Sequence, residues 1–205
     1  MNDRPAIRYL VLWVTGACNL NCRYCYRGET NRLGPLSFDA ARAALAMVAS
    51  FGKPFHVQLT GGEPCMEPVL VEKIAAWIRK SGLNASIGLQ TNGTLLDKAI
   101  TRIFRKYKIE IGLSIDGIEL LHNAHRAAFR QTLRGLITLA EAELPCRVTT
   151  VVTRQNASQL DRLALMLAGF ENVRGVALDL LVHKGNALHH TRFGKRARRG
   201  SRPWT

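Results

Sequence analysis

Short apolar runs rich in β-branched residues alternate along this chain with longer stretches whose apolar residues recur at helical spacing. Residues 7–14 predict a first strand. Ser37, as N-cap, opens an alanine-rich helix to residue 50, and residues 55–59 give a second strand. A helix over 69–80 stops at Ser81-Gly82, and residues 86–89 form a third strand. A helix over 95–106, a strand over 109–114 and a long helical region to about residue 143 follow. Strands over 148–152 and 176–181, with a helix over 158–167 between them, complete the pattern. Strands that alternate with helices in this way predict an α/β fold with parallel strands. Six such units cannot close an eight-unit barrel, so the expected architecture is an open, partial (βα)6 TIM-like barrel.

In a barrel of this kind the ligand face lies at the C-terminal ends of the strands. The chemically unusual residues fall there. Cys18, Cys22 and Cys25 follow the first strand, and Gly61-Gly62-Glu63-Pro64 follows the second. Thr91-Asn92-Gly93 follows the third and Asp116-Gly117 the fourth, so four strand ends are expected to converge on one site.

The chain has 205 residues, 47% of them hydrophobic, which is enough for one sizeable core. Residues 1–186 are expected to form that domain. Residues 187–205 have neither periodicity nor apolar content and are expected to be a disordered basic tail. Half of the net charge of +14 lies at this end: residues 183–205 carry Lys184, Arg192, Lys195, Arg196, Arg198, Arg199 and Arg202 and no Asp or Glu. The remaining charge is spread without an aromatic-interleaved basic stripe, so nucleic-acid binding is not expected. The first apolar run is too short for a membrane span and lacks a signal-peptide cleavage pattern, which leaves a cytoplasmic protein as the expectation. No convincing helix follows residue 181, so a truncated or frameshifted core is one expectation for the chain.

Five cysteines are an odd number and three of them crowd into eight residues, a poor disulfide framework and a better metal or redox site. The spacing C-x3-C-x2-C can place three thiolates on three irons of a cubane. The fourth iron would then be open to the amine and carboxylate of a small molecule. A zinc site with a further ligand, or three structural cysteines, remain alternatives at this point. His122 and His125 lie on a predicted helix, and His183, His189 and His190 accompany the basic tail; none is read as a ligand.

The segment Ala17-Cys18-Asn19-Leu20-Asn21-Cys22-Arg23-Tyr24-Cys25-Tyr26, with Gly61-Gly62-Glu63-Pro64 after the next strand, resembles the signature of radical S-adenosylmethionine (radical SAM) enzymes. The resemblance spans about residues 7–181. It implies that Cys18, Cys22 and Cys25 hold a 4Fe-4S cluster, which splits SAM into methionine and a 5′-deoxyadenosyl radical. Residues 90–96 (QTNGTLL) and Ser114-Ile115-Asp116-Gly117, followed by His125-Arg126, look like the peptide-modifying subgroup that includes anaerobic sulfatase-maturating enzymes. The SAM contacts so implied are Tyr24, Gly61, Gly62, Glu63, Pro64, Asn92, Ser114 and Arg126. Read without the resemblance, the GGEP tetrapeptide is an ordinary strand-to-helix turn, and Asn92-Gly93 and Asp116-Gly117 are common turn dipeptides.

Members of that subgroup usually continue into a cysteine-rich extension, called SPASM or twitch, with auxiliary clusters. Only Cys65 and Cys146 lie outside the first motif, and they are expected as a buried or rim thiol and a strand-start core residue. The implied partners are a peptide or protein substrate and an external flavodoxin- or ferredoxin-like electron donor. Two rivals stand beside this reading. One keeps the radical chemistry but takes a small-molecule or nucleotide-derived substrate; the other is a cluster-binding fragment without turnover.

Overall fold

The computed structural model describes residues 6–28 and 34–190. In chain order the elements are β1 (Tyr9–Thr15), α1 (Phe38–Ala49), β2 (Phe55–Gly61), α2 (Pro68–Lys80), β3 (Ala85–Thr91), α3 (Lys98–Tyr107), β4 (Ile109–Ser114), α4 (Glu119–His125), α5 (Phe129–Glu141), β5 (Cys146–Val152), α6 (Leu160–Ala168) and β6 (Val173–Leu180). The strands form one sheet in the order β1-β2-β3-β4-β5-β6, every neighbouring pair parallel. Spatial order equal to chain order is the winding of a barrel; a doubly wound sheet would reverse at a switch point. β1 and β6 each pair on one side only, so the barrel is open, as the strand count requires.

Alternation along the strands divides the sheet into two chemically different faces. Leu12, Val14, Val57, Leu59, Ile87, Leu89, Ile111, Leu113 and Val148 are buried on the convex face against the helices. The residues between them, among them Gln58, Thr60, Gln90, Ser114 and Thr149, point into the hollow and line its cavities. A TIM barrel is filled by apolar side chains. Here the inside is open and sets polar side chains within a largely apolar lining, the condition for holding a ligand within the strands. Among the described residues no helix is long and apolar enough to cross a membrane.

Two helices differ from expectation for local reasons. The helix predicted from residue 95 starts at Lys98, because Asp97 is its N-cap and accepts from the amides of Ala99 and Ile100 at 2.9 and 2.8 Å. Leu95 and Leu96 therefore belong to the preceding turn. The long helical region before β5 is two helices, broken where Ala127 and Ala128 adopt left-handed conformations with φ of 65° and 59°. Such a conformation costs a non-glycine residue about 1–2 kcal/mol, and the break places Arg126 at the end of α4, facing the site.

The boundary expected at residue 186 falls within an ordered turn. Gly185–His189 is a 3₁₀ turn whose Ala187 is buried against Tyr24. The described part of the expected tail is thus packed on the domain, and residues 191–205 lie outside the described residues.

α5 seats against the loop after β3 almost backbone to backbone. A Cβ at Gly135 would collide with the carbonyl of Gly93, while Thr132 donates to the Asn92 carbonyl at 2.9 Å. Gly135→Ala is expected to lower stability by about 1–3 kcal/mol through overpacking at this seam, measured as a shift of the urea midpoint at unchanged slope.

Candidate active site

A cavity of about 670 Å³ opens at the C-terminal ends of the strands. Cys18, Cys22 and Cys25 line it, with Tyr24, Gly61, Gly62, Glu63, Asn92, Ser114 and Arg126. Pro64 alone of the expected site residues stands back, buried at the start of the 3₁₀ turn Pro64–Met66. The convergence of strand ends read from the motif order is therefore present in three dimensions.

The cysteine loop is held from several sides. Its own turn is closed by the Cys25 amide donating to the Cys22 carbonyl at 3.1 Å, and the Arg23 amide donates to the His125 carbonyl at 2.9 Å. Asn19 exchanges hydrogen bonds with the β3 loop, accepting from Asn92 at 2.9 Å and donating to Thr94 at 2.7 Å. From far along the chain, the Asn186 side chain donates to Asn21 and to the Cys22 carbonyl, both at 3.0 Å, and its amide donates to the Cys25 carbonyl at 2.9 Å. Gly185, at φ 60°, lies so close to Cys25 and Gly28 that no side chain fits there.

These thiols suit a cluster. All three are free, and each is only partly exposed. Burial pushes the Cys22 thiol up to about 11, and burial likewise raises Cys18. Three neighbouring thiolates in that environment need a strongly positive partner, which iron supplies. Among the described residues no three His, Cys, Asp or Glu close on one point as a single ion requires; the cysteines instead border a shared cavity.

The glycine pair and Glu63 act first on the chain itself. Gly61, at φ 147°, and Gly62 let the β2 end lie against the backbone of Thr15 and Ala17, which accept from the amides of Gly62 and Glu63 at 2.7 and 2.9 Å. The Glu63 carboxylate is almost fully buried and accepts from Thr91 Oγ1 at 2.7 Å, the Asn92 amide at 2.7 Å and the Cys65 amide at 3.0 Å. Burial raises its pKa while these donors oppose the rise. Glu63 thereby fixes the β3 loop beside the cysteines.

Asp116, which the sequence places at the end of the fourth strand with no role of its own, is the busiest residue of the site. It is fully buried and accepts from Arg126 Nε at 2.7 Å, from the Val151 amide at 2.9 Å and from the Tyr24 hydroxyl. Its own carbonyl accepts from Asn156 at 2.9 Å. The Arg126 guanidinium also lies over the Tyr24 ring, 5.2 Å from its centre. Burial alone would lower the pKa of Arg126, but the Asp116 charge outweighs it and fixes the cation. Ser114 lines the cavity and accepts from Gln90 at 2.9 Å. Gln90, which opens the QTNGTLL motif but has no role assigned by it, and Arg27, which the motifs miss, also line the space; Arg27 rests 5.7 Å from the centre of the Trp13 ring. Polar character on the inward parity of strands was the signal for Gln90.

The family model described as the Radical SAM superfamily matches residues 14–167, and the chain belongs to that superfamily. Its members use a 4Fe-4S cluster and SAM, and homologues of this chain are enzymes. An uncharacterized protein of Methanocaldococcus jannaschii is 32% identical over 87% of this chain and 64% of its own length. The AdoMet-dependent heme synthase of Methanosarcina barkeri is 35% identical over 75% of this chain and 45% of its own length. The serine-type anaerobic sulfatase-maturating enzyme of Klebsiella pneumoniae is 29% identical over 84% and 47%. Among solved structures, anSMEcpe with bound AdoMet and a Cp18Cys peptide superposes with a TM-score of 0.76 at 22% identity, over 87% of this chain and 52% of that one. The chain spans roughly half to two thirds of the length of these relatives.

Two outcomes follow from the buried charges. Asp116→Asn leaves Arg126 without its counter-ion and is expected to cost about 3–5 kcal/mol; in urea unfolding, the added change Arg126→Met should recover part of that loss. His122 is buried on α4 against Phe129, and burial lowers it from 6.5 to about 4. The unfolded chain then binds this proton near pH 6.5 and the folded chain only near pH 4. Its contribution is complete above pH 6.5 and is lost as pH falls toward 4, about 3 kcal/mol in all. His122→Phe should flatten the stability profile across that window, and an unchanged slope would contradict the assignment.

Proposed function

We propose that this chain is the catalytic core of an enzyme that cleaves SAM reductively at a 4Fe-4S cluster and uses the radical to modify a peptide or protein side chain. The observation that carries the reading is the meeting of three free thiols, the glycine pair and Arg126 around one cavity at the strand ends. Cys18, Cys22 and Cys25 would hold the cluster, which when bound supplies the electron that splits SAM into methionine and a 5′-deoxyadenosyl radical.

The chain's own residues bind and orient. The Arg126 guanidinium, anchored through Nε on Asp116, keeps its remaining donors for a carboxylate. Ser114 Oγ and the Asn92 side chain border the same cavity and suit ribose or carboxylate oxygens. Tyr24 offers a ring edge to the adenine region, while Gly61 and Gly62 leave backbone groups near the ligand's ammonium. Glu63 and Pro64 hold that turn. An external flavodoxin- or ferredoxin-like protein would deliver the electron.

A peptide target is supported by the sulfatase-maturating relative and by the peptide bound to anSMEcpe. A small-molecule target is the second reading, favoured by the 35% identity to the AdoMet-dependent heme synthase. The deciding experiment is anaerobic reconstitution with iron and sulfide, then dithionite and SAM, with chromatography for 5′-deoxyadenosine. The expected result is product from the native chain and none from Cys22→Ala. A cluster that forms and binds SAM without product would mark a binding-only fragment, and no cluster would sink the reading.

A further inference from the structure

The hollow does not end at the SAM level. A second cavity of about 710 Å³ lies at the N-terminal ends of the strands and shares Gln58, Gln90, Thr149 and Ala177 with the upper one. The two cavities adjoin at these residues inside the barrel. Three inward positions on the strands, Gly88, Gly112 and Gly175, carry no side chain, and at Gly175 a Cβ would meet nothing within 4 Å. The space beside Gly88 and Gly112 takes the side chains of Gln58 and Gln90, so the region where the cavities adjoin is bordered by amides.

The lower mouth is cationic. Arg105, Lys108, Arg147 and Arg174 line it, with Glu110 as the sole acid among its lining residues. Among the described residues three exposed cations pair with acids, Arg42 with Asp39, Lys106 with Glu72 and Arg130 with Glu119, and most of the others do not. Among the described residues Lys108, Arg147 and Arg174 form no ion pair. Like charges gathered at the rim of a hollow focus their field into it. Arg147 on β5 stands in register with Gly175 on β6, and Arg174 precedes that glycine at the bulge between the two strands. Arg147 and Arg174 thus both line this mouth and neighbour, in sheet register and in sequence, a strand position that carries no side chain.

We propose that this lower mouth binds a carboxylate-bearing part of the substrate, with Arg147 and Arg174 as the recognising residues. The inference rests on the reading of the barrel interior as the substrate chamber. It also sets a size. From Arg147 to Val152 the strand rises on the order of 16 Å, so a ligand held at the mouth and reacting near the cysteines must span about that length. A single amino acid is too short. An acidic peptide segment and a large polycarboxylated small molecule share the required chemistry.

The test reads binding of a fluorescein-labelled hexaglutamate peptide to the full chain by anisotropy, without iron, SAM or reductant. Arg147→Ala combined with Arg174→Ala is expected to weaken binding at least about tenfold. Gly175→Leu, which fills the wall without a backbone clash, should do the same. Arg42→Ala with Arg130→Ala removes charge away from the mouth and should leave affinity within about twofold. Displacement by benzene-1,2,4,5-tetracarboxylate would identify a compact polycarboxylate as a sufficient ligand; displacement by unlabelled peptide alone would point to an acidic peptide. Equal loss in the mouth and control variants, or no loss at Arg147, Arg174 and Gly175, would overturn the proposal. A chain that makes no 5′-deoxyadenosine yet keeps this discrimination would sink the catalytic reading and leave the site standing.

Discussion

At the end of β4 a carboxylate with no exposed surface gathers donors from three separate segments: Arg126 after α4, Tyr24 in the cysteine loop and the Val151 amide on β5. Burying an isolated carboxylate or guanidinium would be prohibitive, and only their mutual contact makes either tolerable. The Asp116–Arg126 pair therefore fixes relative positions that no apolar packing could fix as closely. It sets how far the loop bearing Cys22 and Cys25 stands from β4 and β5, and it turns α4 away at the left-handed Ala127 and Ala128. The strain at those alanines is the local cost of bringing the guanidinium inward.

Glu63 performs the corresponding task on the opposite wall. Its carboxylate is spent on Thr91, Asn92 and Cys65, and Asn92 then reaches Asn19 in the cysteine loop. Two buried acids thus fasten the same loop from two sides, one through the Tyr24 hydroxyl and one through Asn92. Between them many inward strand positions are polar or carry no side chain, and stability comes from the convex face, where the strands meet α1 to α6. Separating the two jobs by strand parity lets the molecule be well packed and hollow at once.

Much of this was legible in the sequence. Periodicity located all six strands, and the order of motifs after them anticipated a shared rim. What escaped had physical causes. Asp116-Gly117 reads as a turn because the dipeptide favours one; nothing local says that Arg126, ten residues on, will fold back to it. The break after His125 depends on that pair and not on Ala127 or Ala128, which are good helix formers. The role of Asp97 as an N-cap was available from residue type alone and was masked by two leucines with helical spacing before it. Asn186 was unreadable for a different reason: its partners lie about 165 positions earlier.

That last contact bears on how the molecule is made. Synthesis runs from the N-terminus at roughly 5–20 residues per second, so the three thiols emerge early and wait on the order of ten to thirty seconds before Asn186 exists to close over their loop. During translation the cysteines are therefore held only from within the growing barrel. The loop bearing these cysteines is thus completed late in folding, when two distant stretches of chain are fastened together.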